Sequence, residues 1–255
     1  MLKPEPSSRS QSAQVYRLTD RIASVEALVR WHHPTRGYLS PDSFIPLAEK
    51  NDHIADMTLF VLQRTLWDLA QWHAAGIEVK AAVNISARLL ISPAFFEAVG
   101  AALQRGGTSA SDLIFEVTES ATMADPAAAL RALEGYRRMG IMISLDDYGT
   151  GQSTLTYLKT LPLGELKIDR SFVENAHEDS SDALLVRSTV NLAHALGLQV
   201  VAEGIETVEC LDFLREVGCD LAQGYFVSRP LPASELLAFC LSSSTASDTL
   251  ARTAA

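Results

Sequence analysis

The sequence predicts an α/β fold, a TIM-like (β/α)8 barrel, on three observations. Strand-like and helix-like segments alternate through most of the 255 residues, and this order implies parallel strands joined by helical crossovers. About seven such units fill a length close to the ~250 residues usual for a closed barrel. Nearly every predicted strand also ends in a polar residue. An open doubly wound sheet is the alternative, because the order of the strands cannot be read from the sequence.

Hydrophobic periodicity and turn residues predict the elements in chain order. The predicted strands cover 22–31, 79–86, 113–120, 141–147, 165–169, 198–204 and 219–226. The predicted helices cover 56–76, about 93–104, 126–140, 153–161, 182–196, 207–216 and 232–241. The small, polar ends 1–14 and 242–255 are predicted to be loose tails or the edges of a longer protein, flanking a barrel domain at 15–241.

Composition excludes several classes of function. The net charge of −10 and the sequence pI of about 5.0 lack the basic footprint of a protein that binds duplex DNA or RNA. Cys210, Cys219 and Cys240 have no CxxC spacing, which favours reduced thiols over a zinc site. The first ten residues contain no apolar core and no run reaches 18 apolar residues. We therefore expect a cytoplasmic domain, whose full-length protein could itself be membrane-anchored.

Polar side chains stand at the carboxyl end of almost every predicted strand. They are Glu26, Asn84, Glu116, Glu119, Asp146, Asp147, Lys167, Asp169, Glu203 and Gln223. In a barrel these strand ends meet on one rim, which is where such barrels carry their chemistry. A single acid at a strand end is more often a helix N-cap or a solvated loop residue, but six strand ends repeating the pattern are poorly explained in that way. Converging carboxylates repel one another unless cations lie between them.

The oxygen ligands in this set predict a divalent metal centre. Glu26, Asn84, Glu116 and Asp146 offer the mixture of carboxylate and amide oxygens that suits Mg²⁺ or Mn²⁺. Asp146 and Asp147 are adjacent where the strand gives way to a loop, so one could bridge two ions while the other holds the second. Two ions ~3.5–4 Å apart are a common device for cleaving phosphodiesters. Lys167 could orient the attacking water or neutralise developing charge.

Seven motifs in order resemble the signature of EAL-domain cyclic di-GMP phosphodiesterases. They are "EALVRW" (26–31), "NIS" (84–86), "EVTE" (116–119), "DDYGTG" (146–151), "KID" (167–169), "AEGIE" (202–206) and "QGY" (223–225). The resemblance covers roughly 15–240. It implies a bacterial hydrolase that opens cyclic di-GMP to linear pGpG with two Mg²⁺ or Mn²⁺ ions, with Ca²⁺ inhibitory. The alternatives are a catalytically weak module that binds cyclic di-GMP within a larger signalling protein, and a protein-interaction scaffold.

The resemblance also assigns roles by motif position. One ion would be held by Glu26, Asn84, Glu116 and Asp146, and the other by Asp146, Asp147 and Glu203. It places four residues among the catalytic ones: Lys167, Asp169, Glu203 and Glu119. Glu119 would steady the loop 147–152. The substrate would contact Leu28, Arg30 and Gln223.

The family often dimerises through the helix near 153–160 and usually follows sensor or GGDEF domains in longer proteins. Its barrel has a first strand that runs against the others. Where the family reads about "YQPI" in that strand, this chain reads "QSAQ" at 11–14. The departure removes a glutamine expected to touch substrate, and it predicts a weaker first strand and weaker barrel closure.

Overall fold

The computed structural model describes residues 8–18, 21–149 and 155–240. The strands are β1 (Ser8–Arg17), β2 (Arg21–His33), β3 (Gly37–Leu39), β4 (Lys80–Asn84), β5 (Leu113–Thr118), β6 (Met142–Tyr148), β7 (Glu165–Ile168), β8 (Gln199–Ala202), β9 (Leu221–Gln223) and β10 (Leu231–Pro232). The α-helices are α1 (Pro41–Lys50), α2 (Ile54–Ala74), α3 (Ala87–Leu90), α4 (Pro93–Gly106), α5 (Glu119–Met123), α6 (Pro126–Met139), α7 (Leu155–Thr160), α8 (Arg170–Val173), α9 (Ser180–Ala195) and α10 (Val208–Glu216). A 3₁₀ turn covers Ala110–Asp112, and residues 233–240 are helical.

Eight strands close into a ring in the order β1, β2, β4, β5, β6, β7, β8, β9. From β2 to β9 each strand of the ring is parallel to the next. The first strand, β1, runs antiparallel to both β2 and β9. The predicted barrel is confirmed, and the open doubly wound sheet is wrong because β1 joins the two edges that such a sheet would leave apart.

The stretch 11–14 lies within β1 in spite of its unusual side chains. Residues 8–14, which we expected in a loose tail, pair with β2 from Ser8 opposite Trp31 to Gln14 opposite Val25. The ladder is built from backbone N–H and C=O groups, so polar and small residues can still form it. Residues 153–154 of the helix predicted over 153–161, and the expected tail at 242–255, lie outside the described residues.

Two elements on the rim differ from the prediction. The strand expected over 113–120 ends at Thr118, because the hydroxyl of Thr118 accepts a hydrogen bond from the backbone N–H of Ala121 (3.3 Å) and caps α5. Glu119 therefore begins a helix. The strand expected over 219–226 shortens to Leu221–Gln223. Among the described helices, none combines the length and the apolar character needed to cross a bilayer.

The main core lies between the barrel and its helices. Leu62 and Leu69 of α2 pack there with strand residues such as Phe115 and Leu166, and all four side chains are fully buried. The barrel interior is more polar: its apolar cluster consists of Val201 and Leu221, with Ala23 packed against it. Side chains alternate in direction along a strand. The residues that do not face this core therefore point towards the barrel axis and the rim.

Candidate active site

The end of β6 brings two neighbouring carboxylates to one place. The pairing of β6 with β7 shifts register between Leu145 and Tyr148, and Asp147 adopts a positive φ of 56°. Such a bulge breaks the alternation that would send adjacent side chains to opposite faces. The backbone N–H of Asp147 donates to Oδ1 of Asp146 (3.0 Å), and carboxylate oxygens of Asp146, Asp147 and Glu203 lie within 4.8 Å of one another. These three predicted residues therefore form one acidic cluster.

Lys167 is buried among three of the predicted acids. Its Nζ lies 2.7 Å from Glu203 Oε1, 3.1 Å from Glu116 Oε1 and 3.2 Å from Asp146 Oδ1, and the residue is 1% exposed. Burial by itself would lower the pKa of Lys167, but the surrounding carboxylates raise it well above its ordinary value. The ammonium is therefore charged and acts as a cation at the centre of the acids.

One lysine does not balance the carboxylates around it. Burial raises the pKa of Glu203 to about 7 and the pKa of Glu116 well above its usual range, with Lys167 opposing both shifts. Burial also raises the pKa of Asp147, followed by the charges of Asp146 and Asp169. Raised carboxyl pKa values mean that the folded protein resists full ionisation of this cluster. Additional positive charge at this place would relieve that resistance.

Glu26 of β2 is held by two amides, one from the neighbouring strand β4 and one from β9. Its Oε1 accepts a hydrogen bond from Asn84 Nδ2 and its Oε2 from Gln223 Nε2, both at 2.7 Å. Burial raises the pKa of Glu26, but the charge of Lys167 and the two amide hydrogen bonds outweigh burial, so that the net shift is downward. Glu26 is therefore an ionised, firmly oriented carboxylate next to the acidic cluster.

Two buried oxygens in the site have no hydrogen-bond partner among the described residues. They are Glu116 Oε2 and Gln223 Oε1. A buried acceptor without a partner costs about 1–3 kcal/mol, and carboxylate and amide oxygens are the ligands that hard divalent ions prefer. The residues present thus fit a divalent metal, and the acidic cluster could hold one.

A cavity of about 600 Å³ opens beside the acids and has the size of a small-ligand site. Asn84, Glu116, Asp146 and Asp147 line one part of it. Leu28 and Arg30 of β2 line another part, and α1 and α2 contribute the outer wall with residues such as Ile45 and Met57. Two of the three predicted substrate contacts therefore face this cavity. The third, Gln223, stands on the β9 side of the site, where it contacts Glu26.

The remaining two predicted catalytic residues lie at the edge of the site. Glu119 is 3% exposed and shares a smaller cavity of about 230 Å³ with Tyr148, Gly149 and Phe172, so it borders the described start of the loop 147–152. Asp169 caps α8, because its Oδ1 accepts from the backbone N–H of Ser171 (3.0 Å). The negative charge of Asp169 acts on the acidic cluster, because it contributes to the raised pKa of Asp147.

Among the described strands, sequence reasoning missed one buried acid. Glu165 of β7 is 3% exposed, and burial raises its pKa. It lies two residues before Lys167 and therefore on the same face of the strand, deeper in the barrel. The signal was present, because a charged residue inside a short apolar strand is rarely buried without a reason.

Comparison with known proteins identifies the class. The family model for the EAL domain matches residues 11–230, and the chain belongs to the EAL domain family. It is 44% identical over 218 residues to the bifunctional diguanylate cyclase/cyclic di-GMP phosphodiesterase MucR of Pseudomonas aeruginosa, covering 85% of this chain and 32% of MucR. It is 44% identical over 219 residues to the cyclic di-GMP phosphodiesterase NbdA of the same organism, covering 86% of this chain and 28% of NbdA.

The solved structures agree with the fold. The PaMucR phosphodiesterase in complex with c-di-GMP superposes with a TM-score of 0.87 at 40% identity, covering 90% of this chain and 94% of that one. The chain spans about a third of the length of the curated relatives it matches. The family is established for residues 11–230 of the chain.

Proposed function

We propose that this domain is a metal-dependent phosphodiesterase that hydrolyses cyclic di-GMP to linear pGpG. The observation that carries the proposal is the acidic cluster of Asp146, Asp147 and Glu203 beside a ligand-sized cavity that Arg30 also lines. The names of MucR and NbdA, and the cyclic di-GMP complex of the PaMucR phosphodiesterase, support the substrate.

The proposal needs two divalent ions, Mg²⁺ or Mn²⁺. One would be held by Glu26, Asn84, Glu116 and Asp146, and the other by Asp146, Asp147 and Glu203. When bound, such ions activate water and stabilise the attacking and leaving oxygens of a phosphodiester. Ca²⁺ is expected to permit substrate binding while suppressing turnover, because it takes more ligands in a looser geometry.

The chain's own residues supply orientation and charge. Lys167 keeps its ammonium charged among the acids, so it can orient the attacking water and offset negative charge on the phosphate. Asp169 would help to position that water. Arg30 and Leu28 line the cavity, where the guanidinium can meet a phosphate oxygen. Glu119 would steady the loop that begins at Asp147.

The test of activity is direct. Purified protein with Mn²⁺ or Mg²⁺ should convert cyclic di-GMP to a linear product that chromatography separates. Glu26→Ala should abolish turnover, whereas Asp212→Ala should not, because Asp212 is an exposed acid that pairs with Arg215 on α10. No turnover across metals and pH, with the nucleotide bound in a Ca²⁺ titration, would instead support the catalytically weak receptor. Absence of both binding and turnover would support a protein-interaction scaffold.

We also propose that two copies associate through α7. Leu155 at the start of this helix is 60% exposed, and the hydroxyl of Tyr157 donates to the carbonyl of Thr122 (2.7 Å), which seats α7 against α5. Met123 of α5 and Leu185 of α9 add exposed apolar surface. Analytical ultracentrifugation should find a dimer that Leu155→Glu weakens. The name of MucR makes a diguanylate cyclase unit a candidate neighbour in a longer protein, and the name of the Escherichia coli oxygen sensor protein DosP makes a sensor another.

A further inference from the structure

A second cavity lies between the β2–β3 hairpin and the helices α1 and α2. Its volume is about 420 Å³, which is within the size range of small-ligand sites. Trp31 of β2 and Leu39 of β3, which pair across the hairpin, form one wall. The helices contribute Phe44 from α1 and Phe60 from α2. The proposed activity does not use this space, which we call the aromatic cavity.

The rings of the aromatic cavity favour a planar ligand. Trp31 packs edge to face against Phe44, with the ring centroids 5.5 Å apart and the planes at 88°. On its other side Trp31 lies 5.3 Å from the ring of His33, tilted by 58°. Aromatic rings pair best in such edge-on and offset arrangements. A flat aromatic ligand could therefore continue the packing against Trp31 and Phe60.

The polar groups of the aromatic cavity are mostly hydrogen-bond donors. Arg36 lines it and makes no ion pair with any described residue. His33 Nδ1 accepts from the backbone N–H groups of Thr35 (3.2 Å) and Arg36 (3.3 Å), so the ring proton lies on Nε2 and can be donated. Asp56 is the one acid among the described residues of this lining, and it lies in the first turn of α2, where the helix N-terminus offsets its charge. The aromatic cavity therefore suits a ligand with one negative charge.

The aromatic cavity shares a wall with the large cavity beside the acids. Val29 and Met57 line both cavities, and the carbonyl of Val29 accepts a hydrogen bond from the guanidinium of Arg30 (3.1 Å). Arg30 is the residue proposed above to meet a phosphate of the substrate. Met57 has a flexible side chain, and a ligand seated behind it leaves it less room to move away from the substrate. Occupation of one cavity should therefore oppose occupation of the other.

We propose that the aromatic cavity is a regulatory site for a small aromatic monoanion, a carboxylate or a sulfonate, whose binding weakens the binding of substrate. The regulatory effect rests on the proposed activity towards cyclic di-GMP, whereas the binding of the anion does not. Coupling between two sites is typically about 5–150-fold in affinity and is reciprocal. The anion should therefore raise KM for cyclic di-GMP by about fivefold or more. Cyclic di-GMP should raise the Kd of the anion by the same factor as it raises its own Kd.

The probe is anilinonaphthalene sulfonate, an aromatic monoanion whose fluorescence rises in apolar surroundings. Ala48→Phe fills the aromatic cavity, because Ala48 of α1 lines it and is buried, and Arg36→Gln removes the arginine charge. Trp67→Ala is the control, because Trp67 is a 54% exposed ring of α2 outside the cavity, with a guanidinium 4.5 Å from its centroid. On the whole chain we would measure the Kd of the probe, with and without cyclic di-GMP in Ca²⁺, and kcat and KM at rising probe concentration.

Wild type and Trp67→Ala should bind the probe at one saturable site, Arg36→Gln about tenfold more weakly, and Ala48→Phe not measurably. In wild type KM should rise with the probe and then level off, with kcat unchanged within about twofold. A probe Kd in Arg36→Gln equal to that of wild type overturns the inference, even where Ala48→Phe proves unstable. So does a KM that the probe leaves unchanged, or one that rises without limit, because the latter indicates competition inside the large cavity. A wild type that binds the probe as expected but neither binds nor cleaves cyclic di-GMP overturns the proposed function and the regulatory effect, while the anion site stands.

Discussion

Replacing Lys167 by methionine tests the electrostatic account of the site. The substitution removes one ammonium that lies 2.7–3.2 Å from oxygens of Glu116, Asp146 and Glu203, with the side chain 2% exposed. Breaking a buried ion pair by removing one partner costs about 3–5 kcal/mol, because the other charges stay buried without compensation. For a chain of this size that corresponds to a fall in Tm of roughly 6–20 °C.

The loss of stability in Lys167→Met should depend on pH in a defined direction. The folded-state pKa of Glu203 is raised to about 7 from an ordinary value of 4.5, so its protonated form stabilises the folded protein. That stabilisation is complete below 4.5 and is lost as the pH rises through about 7. Removing Lys167, which holds this pKa down, should raise it further. The destabilisation by Lys167→Met should therefore be larger at about pH 8 than at about pH 5.5.

The assay is thermal unfolding in EDTA, followed by circular dichroism, with Lys80→Met as the control because Lys80 is exposed at the opposite end of the barrel. Adding Mn²⁺ should restore part of the stability of Lys167→Met, since an ion that binds only the folded state shifts the equilibrium towards it. If Lys167→Met unfolds at the wild-type temperature in EDTA at both pH values, the buried ammonium does not compensate the acids and the reasoning fails.

Three further changes test other parts of the account. Asp146→Ala should lower kcat more than ~100-fold, because even residues that only support metal ligands contribute about 10–100-fold. A rate of product formation close to wild type, measured by chromatography, would disprove the role of Asp146 as a metal ligand. Burial raises the pKa of Cys210 to about 11 and of Cys219 to about 12. A thiol reagent at neutral pH should therefore modify neither residue before the protein unfolds. Mass spectrometry that found either thiol modified in the folded protein would contradict this expectation. Gly224→Ala should cost roughly 1–3 kcal/mol in urea unfolding, since its Cβ would meet the Ile205 backbone; unchanged stability would contradict the close packing.

Local signals in the sequence determined the alternating elements, the polar strand ends and the family. Helix caps such as Ser92 before Pro93 act within a few residues, and hydrophobic periodicity reports which face of a segment is buried. For that reason the helices α4, α6 and α9 begin and end within two residues of their predicted limits. Element order and the polar strand ends favoured a parallel barrel over an open doubly wound sheet without excluding that sheet.

Only the tertiary structure decided how those polar ends meet. Glu26 bonds to Asn84, 58 residues away, because β2 pairs with β4. It also bonds to Gln223, 197 residues away, and that contact forms only when β1 joins β2 to β9. The register of neighbouring strands decides two further features of the site. It sets the bulge that brings Asp147 beside Asp146, and it places Lys167 among the acids. A one-dimensional pattern records which way each side chain points along its own strand. It does not record the distances between strands, and those distances set the charge balance on which the chemistry depends.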